Sequence, residues 1–243
     1  MASLDTNTQA RLRLVRERIA QAAHAAGRDP DEICLVAVSK TFGPALVQEA
    51  IAAGQTRFGE NYLQEARVKM GELARFGSHE AVQWHFIGPI QSNKTRELSE
   101  SFDWIQSVDR LKDAQRLSRQ RPQGRPDLQI LLQVNISGES SKRGVPPQEL
   151  ARLALEMAAL PRLRLRGLMA IPEPSPDPVR QRAAFAGMRR LFERMREQLG
   201  EPAPGRSAAV DTLSMGMSAD LEAAIAEGST MVRIGTAIFG ART

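Results

Sequence analysis

Apolar and polar positions along this chain switch between two periods almost from end to end. Leu12, Val15, Ile19, Ala22, Ala23 and Ala26 recur at helical spacing, and Gly27 stands where such a helix would stop. Ile33–Lys40 follows, a nearly unbroken apolar run closed by a lysine. Strands buried on both faces read this way, because helices cover a parallel sheet from each side. Further short runs predict strands near Arg57–Gly59, Trp84–Ile87, Trp104–Ser107, Leu128–Asn135, Leu165–Ala170, Thr212–Ser214 and Met231–Ile234. Helical patterns fall between them, near 44–53, 61–76, 92–100, 110–120, 147–159, 178–199 and 218–227. The segment 178–199 is the clearest, with Phe185, Met188, Phe192, Met195 and Leu199 on one stripe.

Strands alternating with helices imply a parallel α/β sheet. Eight such units in 243 residues leave roughly 30 residues each, the size of one βαβ building block. The total is close to the roughly 250 residues of a (β/α)8 barrel. The expectation is therefore a single TIM-type (β/α)8 barrel over residues 1–243, with an extra N-terminal helix ahead of strand one. Almost nothing follows strand eight, so that opening helix is expected to cover it. An open doubly wound sheet has the same periodicity and stands as the alternative. Pro172–Pro178 reads as a stiff loop after strand six, and Arg121–Pro126 and Glu201–Gly205 as connectors too short to separate domains.

Composition narrows the function classes. A content of 42% hydrophobic and 25% charged residues is that of an ordinary soluble globular protein. Cys34 is the single cysteine, so no intramolecular disulfide forms, and with only His24, His79 and His85 there is no zinc-ligand spacing. No signal peptide opens the chain and no apolar run reaches ~18 residues, so a cytoplasmic protein without a membrane partner is expected. The net charge of +5 and pI of about 10.0 raise the question of nucleic acid. The arginines, however, are dispersed along helical faces, as at Arg11, Arg13, Arg16 and Arg18. With 5% aromatics there is no stacking platform. Solvated surface is the expected reading, with no nucleic-acid partner. No heptad or exposed apolar stripe requires a dimer, and a monomer is expected.

Barrels carry their chemistry at the C-terminal ends of the strands. Five lysines stand against twenty-eight arginines, and Lys40 alone closes a buried strand, while Lys69, Lys94, Lys112 and Lys142 lie in polar segments. Partial desolvation there favours the neutral amine, a nucleophile for an aldehyde. A strand-end lysine reaching for water is the competing reading. The tail Met231–Gly240 places Gly235 and Thr236 after strand eight, with one short helical turn to follow. Leu213–Ser218 forms the loop after strand seven. Together these match the phosphate-binding position of many barrels, although each glycine alone reads as a plain turn. Arg233 alternates with Val232 and Ile234, so it points away from both inside a central strand. A charge there is paired or bound to a ligand. Gly59–Glu65 and His85–Lys94 also begin at strand ends and carry several polar groups.

These residues resemble one known family. Val38-Ser-Lys40, Phe58–Tyr62 with Gln64-Glu65, His85–Gly88 with Gln91–Lys94, Gly167–Ala170, Ser214–Ser218 and Arg233–Thr236 are similar, in order, to blocks of the pyridoxal phosphate homeostasis proteins. The resemblance implies a barrel similar to the N-terminal domain of alanine racemase. It implies that Lys40 carries pyridoxal 5'-phosphate (PLP) as a Schiff base and that Arg233 faces the pyridine nitrogen. Ser214, Met215, Gly216, Gly235 and Thr236 would hold the phosphate, and Asn61 and His85 would lie beside the ring.

The resemblance also implies a cofactor carrier without strong catalysis, taking part in vitamin B6 and amino-acid homeostasis and meeting PLP-dependent apoenzymes by transient contact. PLP works as an electron sink, strongest when its ring nitrogen is protonated. An always-charged arginine at that nitrogen leaves it unprotonated. Racemases of this fold also take a tyrosine from an added β domain as second base. This chain stops at Thr243 and has Tyr62 alone. An amino-acid racemase or related Schiff-base enzyme is the alternative.

Overall fold

A computed structural model of the chain describes residues 7–75, 82–139, 142–200 and 210–241. The connector at 201–205 and the last residue of the expected 61–76 helix lie outside them. Eight strands pair in parallel and in chain order, and the last closes on the first. They are β1 (Cys34–Val38), β2 (Arg57–Glu60), β3 (Gln83–Phe86), β4 (Trp104–Val108), β5 (Leu128–Gln133), β6 (Leu163–Met169), β7 (Thr212–Ser214) and β8 (Met231–Ile234). The closed barrel settles the choice between barrel and open sheet.

Around it run α1 (Thr8–Ala25), α2 (Pro44–Ala52), α3 (Leu63–Arg75), α4 (Thr95–Ser101), α5 (Leu111–Gln120), α6 (Leu150–Ala158), α7 (Pro178–Leu199), α8 (Leu221–Ala226) and α9 (Thr236–Phe239). Asn7 and Asp177 cap α1 and α7 through side-chain oxygens, which satisfies amides that a helix start leaves unpaired. The helix expected at 218–227 is shorter, because Asp220 turns its carboxylate to the Met217 amide and α8 begins after it.

The alternation of strand residues separates two apolar cores. Ala37, Ile105, Ile130, Leu132, Leu168 and Val232 share one large cluster with the helices. Val36, Trp104, Leu131, Met169 and Met231 form a second cluster that contains no helical residue and therefore fills the barrel. Burial on both faces is why these strands read as continuous apolar runs.

The N-terminal helix does what the pattern predicted and covers the closing seam. Arg18 of α1 forms a bidentate pair with Glu222 of α8 and donates to the Ser218 carbonyl. Arg16 donates to the Ala53 and Gly54 carbonyls at the end of α2. Arg28 donates to the carbonyls of Ile225 and Ser229. Arg16 and Arg18, which read as scattered surface charge, thus tie both sides of the seam to α1, and Arg28 adds a tie just beyond its end.

One residue of the Gly167–Ala170 block is required by geometry. Gly167 lies opposite Thr212 in the β6–β7 register, with φ at 152°. A Cβ there would stand 1.8 Å from the Thr212 carbonyl oxygen. Gly167→Ala is expected to lower unfolding stability by about 3 kcal/mol or more, since backbone strain and overpacking act together. Denaturant titration measures this, and an unchanged midpoint would contradict the close β6–β7 approach.

Candidate cofactor site

Closure sets the site. The β1–β8 register aligns Val36 with Arg233 and Ala37 with Ile234, so the two strands end side by side. Above their ends opens a cavity of about 290 Å3. Lys40 and Phe42 line it from β1, Asn61 from β2, and Arg233, Gly235 and Thr236 from β8. Its volume is close to the lower bound of ordinary small-molecule pockets, roughly 300 Å3. Gly235 is needed for the fit, because a Cβ there would come within 3.1 Å of the Val38 carbonyl oxygen. The turn after it folds back through Ile238 and Phe239 amides onto the Gly235 carbonyl, as the expected short helical turn.

Arg233 rises from the barrel interior into this cavity and is only 4% exposed. Nη1 donates to Ser214 Oγ at 2.6 Å and Nη2 to the Ala170 carbonyl at 2.9 Å. Neither acceptor is charged, and among the described residues Arg233 makes no ion pair. Burial pushes its pKa down to about 10, opposed by the charge of Asp220, so the guanidinium stays positive at neutral pH. A buried cation held by neutral acceptors and facing a cavity suits an acceptor or anion on a ligand.

The Ser214 hydroxyl passes this polarity inward. It donates to Gln106 Oε1 at 2.7 Å, and Gln106 Nε2 lies 2.9 Å from His85 Nδ1. Nδ1 must then accept, which assigns the ring proton to Nε2. His85 is fully buried, stacks on Trp104 at 5.2 Å and is pushed down to about 3 by burial and the charge of Arg57. Four side chains from β3, β4, β7 and β8 thus form one directed chain that ends on a neutral imidazole.

A second polar group underlies Lys40. Thr41 has φ of 68°, a conformation that costs a β-branched residue on the order of 1–3 kcal/mol. Its amide donates to Glu65 Oε1 at 2.6 Å. Lys69 Nζ reaches the Ser39 carbonyl at 2.8 Å, Glu60 Oε1 at 2.6 Å and Glu65 Oε1 at 3.1 Å. Ser39 Oγ donates to Glu60 as well, at 2.6 Å. Burial pushes the Glu60 carboxyl up, while Lys69 and the Ser39 hydroxyl pull it back toward the charged form.

The structure brings Lys40, Asn61, Arg233, Gly235 and Thr236 together on one cavity wall. His85 sits below it, inside the barrel, and Ser214 is committed to Arg233 and Gln106. Met215 points into the helix-facing core. The Met215 amide donates to the Met231 carbonyl, and the Gly216 carbonyl accepts from the Arg233 amide. From this loop it is Met217, Ser218 and Ala219 that face the cavity. Gln106, Glu60 and Lys69 were not singled out by the sequence. Gln106 carried the same signal as Arg233, a polar residue inside an apolar strand. Lys69 carried only an ordinary i,i+4 spacing to Glu65.

The alanine racemase N-terminal domain family matches residues 11–243. The pyridoxal phosphate homeostasis protein of Pseudomonas aeruginosa is 59% identical over 228 residues, covering 94% of this chain and 93% of that one. Its Escherichia coli K12 counterpart is 51% identical over 235 residues, covering 94% of each. This chain belongs to the pyridoxal phosphate homeostasis protein family. PipY of Synechococcus elongatus, solved with PLP bound, is 37% identical with a TM-score of 0.77, covering 91% of this chain and all of that one. Alanine racemase of Corynebacterium glutamicum shares the fold at 18% identity, with a TM-score of 0.62 over 93% of this chain and 60% of its own.

The buried imidazole gives this homeostasis-family barrel a pH signature. The unfolded chain takes up the His85 proton below about pH 6.5, the folded chain only near pH 3. More protons bind to the unfolded state in that window, so stability falls as pH falls through it. The first one and a half pH units below 6.5 are expected to cost about 1.5 kcal/mol. His85→Gln, which keeps an acceptor for Gln106, should flatten that part of the profile. Equal slopes for the two proteins in denaturant titrations would show that His85 is protonated in the fold.

Proposed function

We propose that this chain carries PLP as a Schiff base on Lys40 and serves vitamin B6 and amino-acid homeostasis as a binding protein, not as a strong catalyst. The observation that carries the reading is the make-up of the cavity. It offers one amine and one buried guanidinium between glycine-containing and small-residue loops, a match for an aldehyde, a ring nitrogen and a phosphate on one small molecule. Lys40 would hold the aldehyde through its Nζ, one carbon–nitrogen double bond replacing the carbonyl with loss of one water. Arg233, fixed by Ser214 and Ala170, would donate to the ring nitrogen, and Asn61 would lie beside the ring. Gly235, Thr236 and the cavity-facing end of the loop after β7, Met217–Ala219, would hold the phosphate, while Ser214 sets Arg233. His85 acts from below, through Gln106. The PLP-bound PipY structure supports the cofactor assignment at the level of the family.

When bound, PLP supplies an electron sink for amino-acid carbanions. The cavity walls give that chemistry little help. Apart from Lys40, Arg233 is the one ionisable residue among its lining residues, and Tyr62 is 55% exposed and outside it. Among the described lining residues no carboxylate, imidazole or phenol stands ready to carry a proton opposite Lys40. Retention and transient release to apoenzymes suit such a site better than turnover, in the cytoplasm and by a monomer. No helix among the described residues is long and apolar enough to cross a membrane.

Incubation with PLP should give a yellow protein whose borohydride-reduced peptide carries the pyridoxyl label on Lys40, and Lys40→Ala should abolish both colour and label. A label on Lys69 or Lys94 instead would refute the assignment. In deuterated water, α-proton exchange of L-amino acids should stay at the level of free PLP. Turnover that vanishes with Lys40→Ala would favour the racemase-like alternative.

A further inference from the structure

We propose that Glu65, Lys69 and Glu60 form a buried clamp whose task is to position Lys40, acting on the two residues that flank it. The inference rests on the reading of Lys40 as the cofactor lysine.

The clamp grips both neighbours. On the N-terminal side, Ser39 is bound twice, its hydroxyl to Glu60 and its carbonyl to Lys69. On the C-terminal side, the Thr41 amide is bound by Glu65, whose same oxygen accepts from Lys69. Lys69 and Glu60 are 3% and 0% exposed, and Glu65 is one-third exposed at 33%. Two carboxylates and one ammonium therefore converge on Ser39 and Thr41, the two residues of the β1–α2 turn on either side of Lys40. None of the three lines the cavity. A buried ion pair is a poor source of stability, because its desolvation cost rivals its attraction. What this one does provide is direction: charge-assisted bonds to a hydroxyl, a carbonyl and an amide leave the intervening backbone one orientation. Thr41 shows the effect. Its left-handed φ of 68° is held by the turn's own Phe42 amide to Ser39 carbonyl bond and, from outside the turn, by Glu65 on the Thr41 amide. That conformation turns the chain sharply after β1 and leaves Lys40 on the cavity wall instead of continuing the strand. Lys69 is thus assigned as a positioning residue, and not as a second imine-forming amine.

The variants must separate positioning from folding. Lys69→Met would strand Glu60 in the core and is expected to unfold much of the protein. Glu65 is the usable handle, since it is partly exposed and its loss leaves the Lys69–Glu60 pair intact. Glu65→Ala removes the acceptor for the Thr41 amide, and Glu65→Gln keeps one. In the cofactor-free chain, Thr41 amide exchange should accelerate about tenfold or more in Glu65→Ala and stay within about threefold of the parent in Glu65→Gln, the scale of one hydrogen bond to a charged group. The rate of Schiff-base formation with added PLP should fall in the same order, about tenfold in Glu65→Ala. Unchanged Thr41 exchange in Glu65→Ala would overturn the clamp. Faster exchange with an unchanged rate of Schiff-base formation would overturn its positioning role. If the parent forms no Schiff base at Lys40, the functional reading fails, and the exchange measurement still decides whether the clamp exists.

Discussion

The pairing of β1 with β8 is the contact on which the site depends. It joins the first strand to the last, and the cavity's amine and its guanidinium lie on the two sides of that seam. Lys40 arrives from the beginning of the chain, and Arg233, Gly235 and Thr236 from its end. Parallel closure lets both strands finish at the same rim, where helix starts and loop amides gather. The seam is also where the N-terminal helix lies, with Arg16 and Arg18 reaching to opposite sides of it. The added helix is best understood as the cover of the joint that builds the site.

Beneath the cavity, the barrel is not uniformly apolar. A directed hydrogen-bond chain runs from Arg233 through Ser214 and Gln106 to His85, and an ionic cluster underlies Lys40. Both are costly to bury; the first begins on the cavity residue Arg233, and the second ends on Ser39 and Thr41, the neighbours of Lys40. Each leaves one buried polar atom without a hydrogen-bond partner among the described residues, His85 Nε2 in the first and Glu60 Oε2 in the second. Here one fixes a guanidinium and the other an amine, the two groups that would meet opposite ends of a conjugated ring system. Rigid placement of two binding groups at one rim is what these buried networks have in common.

Much of this was legible from the order of residues. Strands buried on both faces leave unbroken apolar runs, so Cys34–Val38 and Leu128–Gln133 were visible, and their number and spacing pointed to eight units. Lys40 stood out because it ends such a run, and Arg233 because it interrupts one. β6 begins two residues earlier than the apolar run suggested, since Arg164 pairs with Asp127 and Arg166 with Asp211 while lying within the strand. Lys69 was hidden for a plain reason. On a helix, a lysine four residues from a glutamate looks like solvated surface, and its burial depends on Glu60 arriving from a different element. The loop expected to hold phosphate follows β7, and only its later part faces the cavity. Its residues 214–216 are zipped to β8, and the chain reaches the cavity only at Met217–Ala219, a distinction set by pairing that no local pattern records.

The central claim is spatial, and a crystal structure of the chain saturated with PLP tests it most directly. The account predicts continuous electron density from Lys40 Nζ to the pyridine ring, the ring nitrogen within hydrogen-bond reach of Arg233, and the phosphate between Gly235–Thr236 and the loop after β7. A ring attached to any other lysine, or a phosphate seated away from the β1–β8 seam, would contradict it.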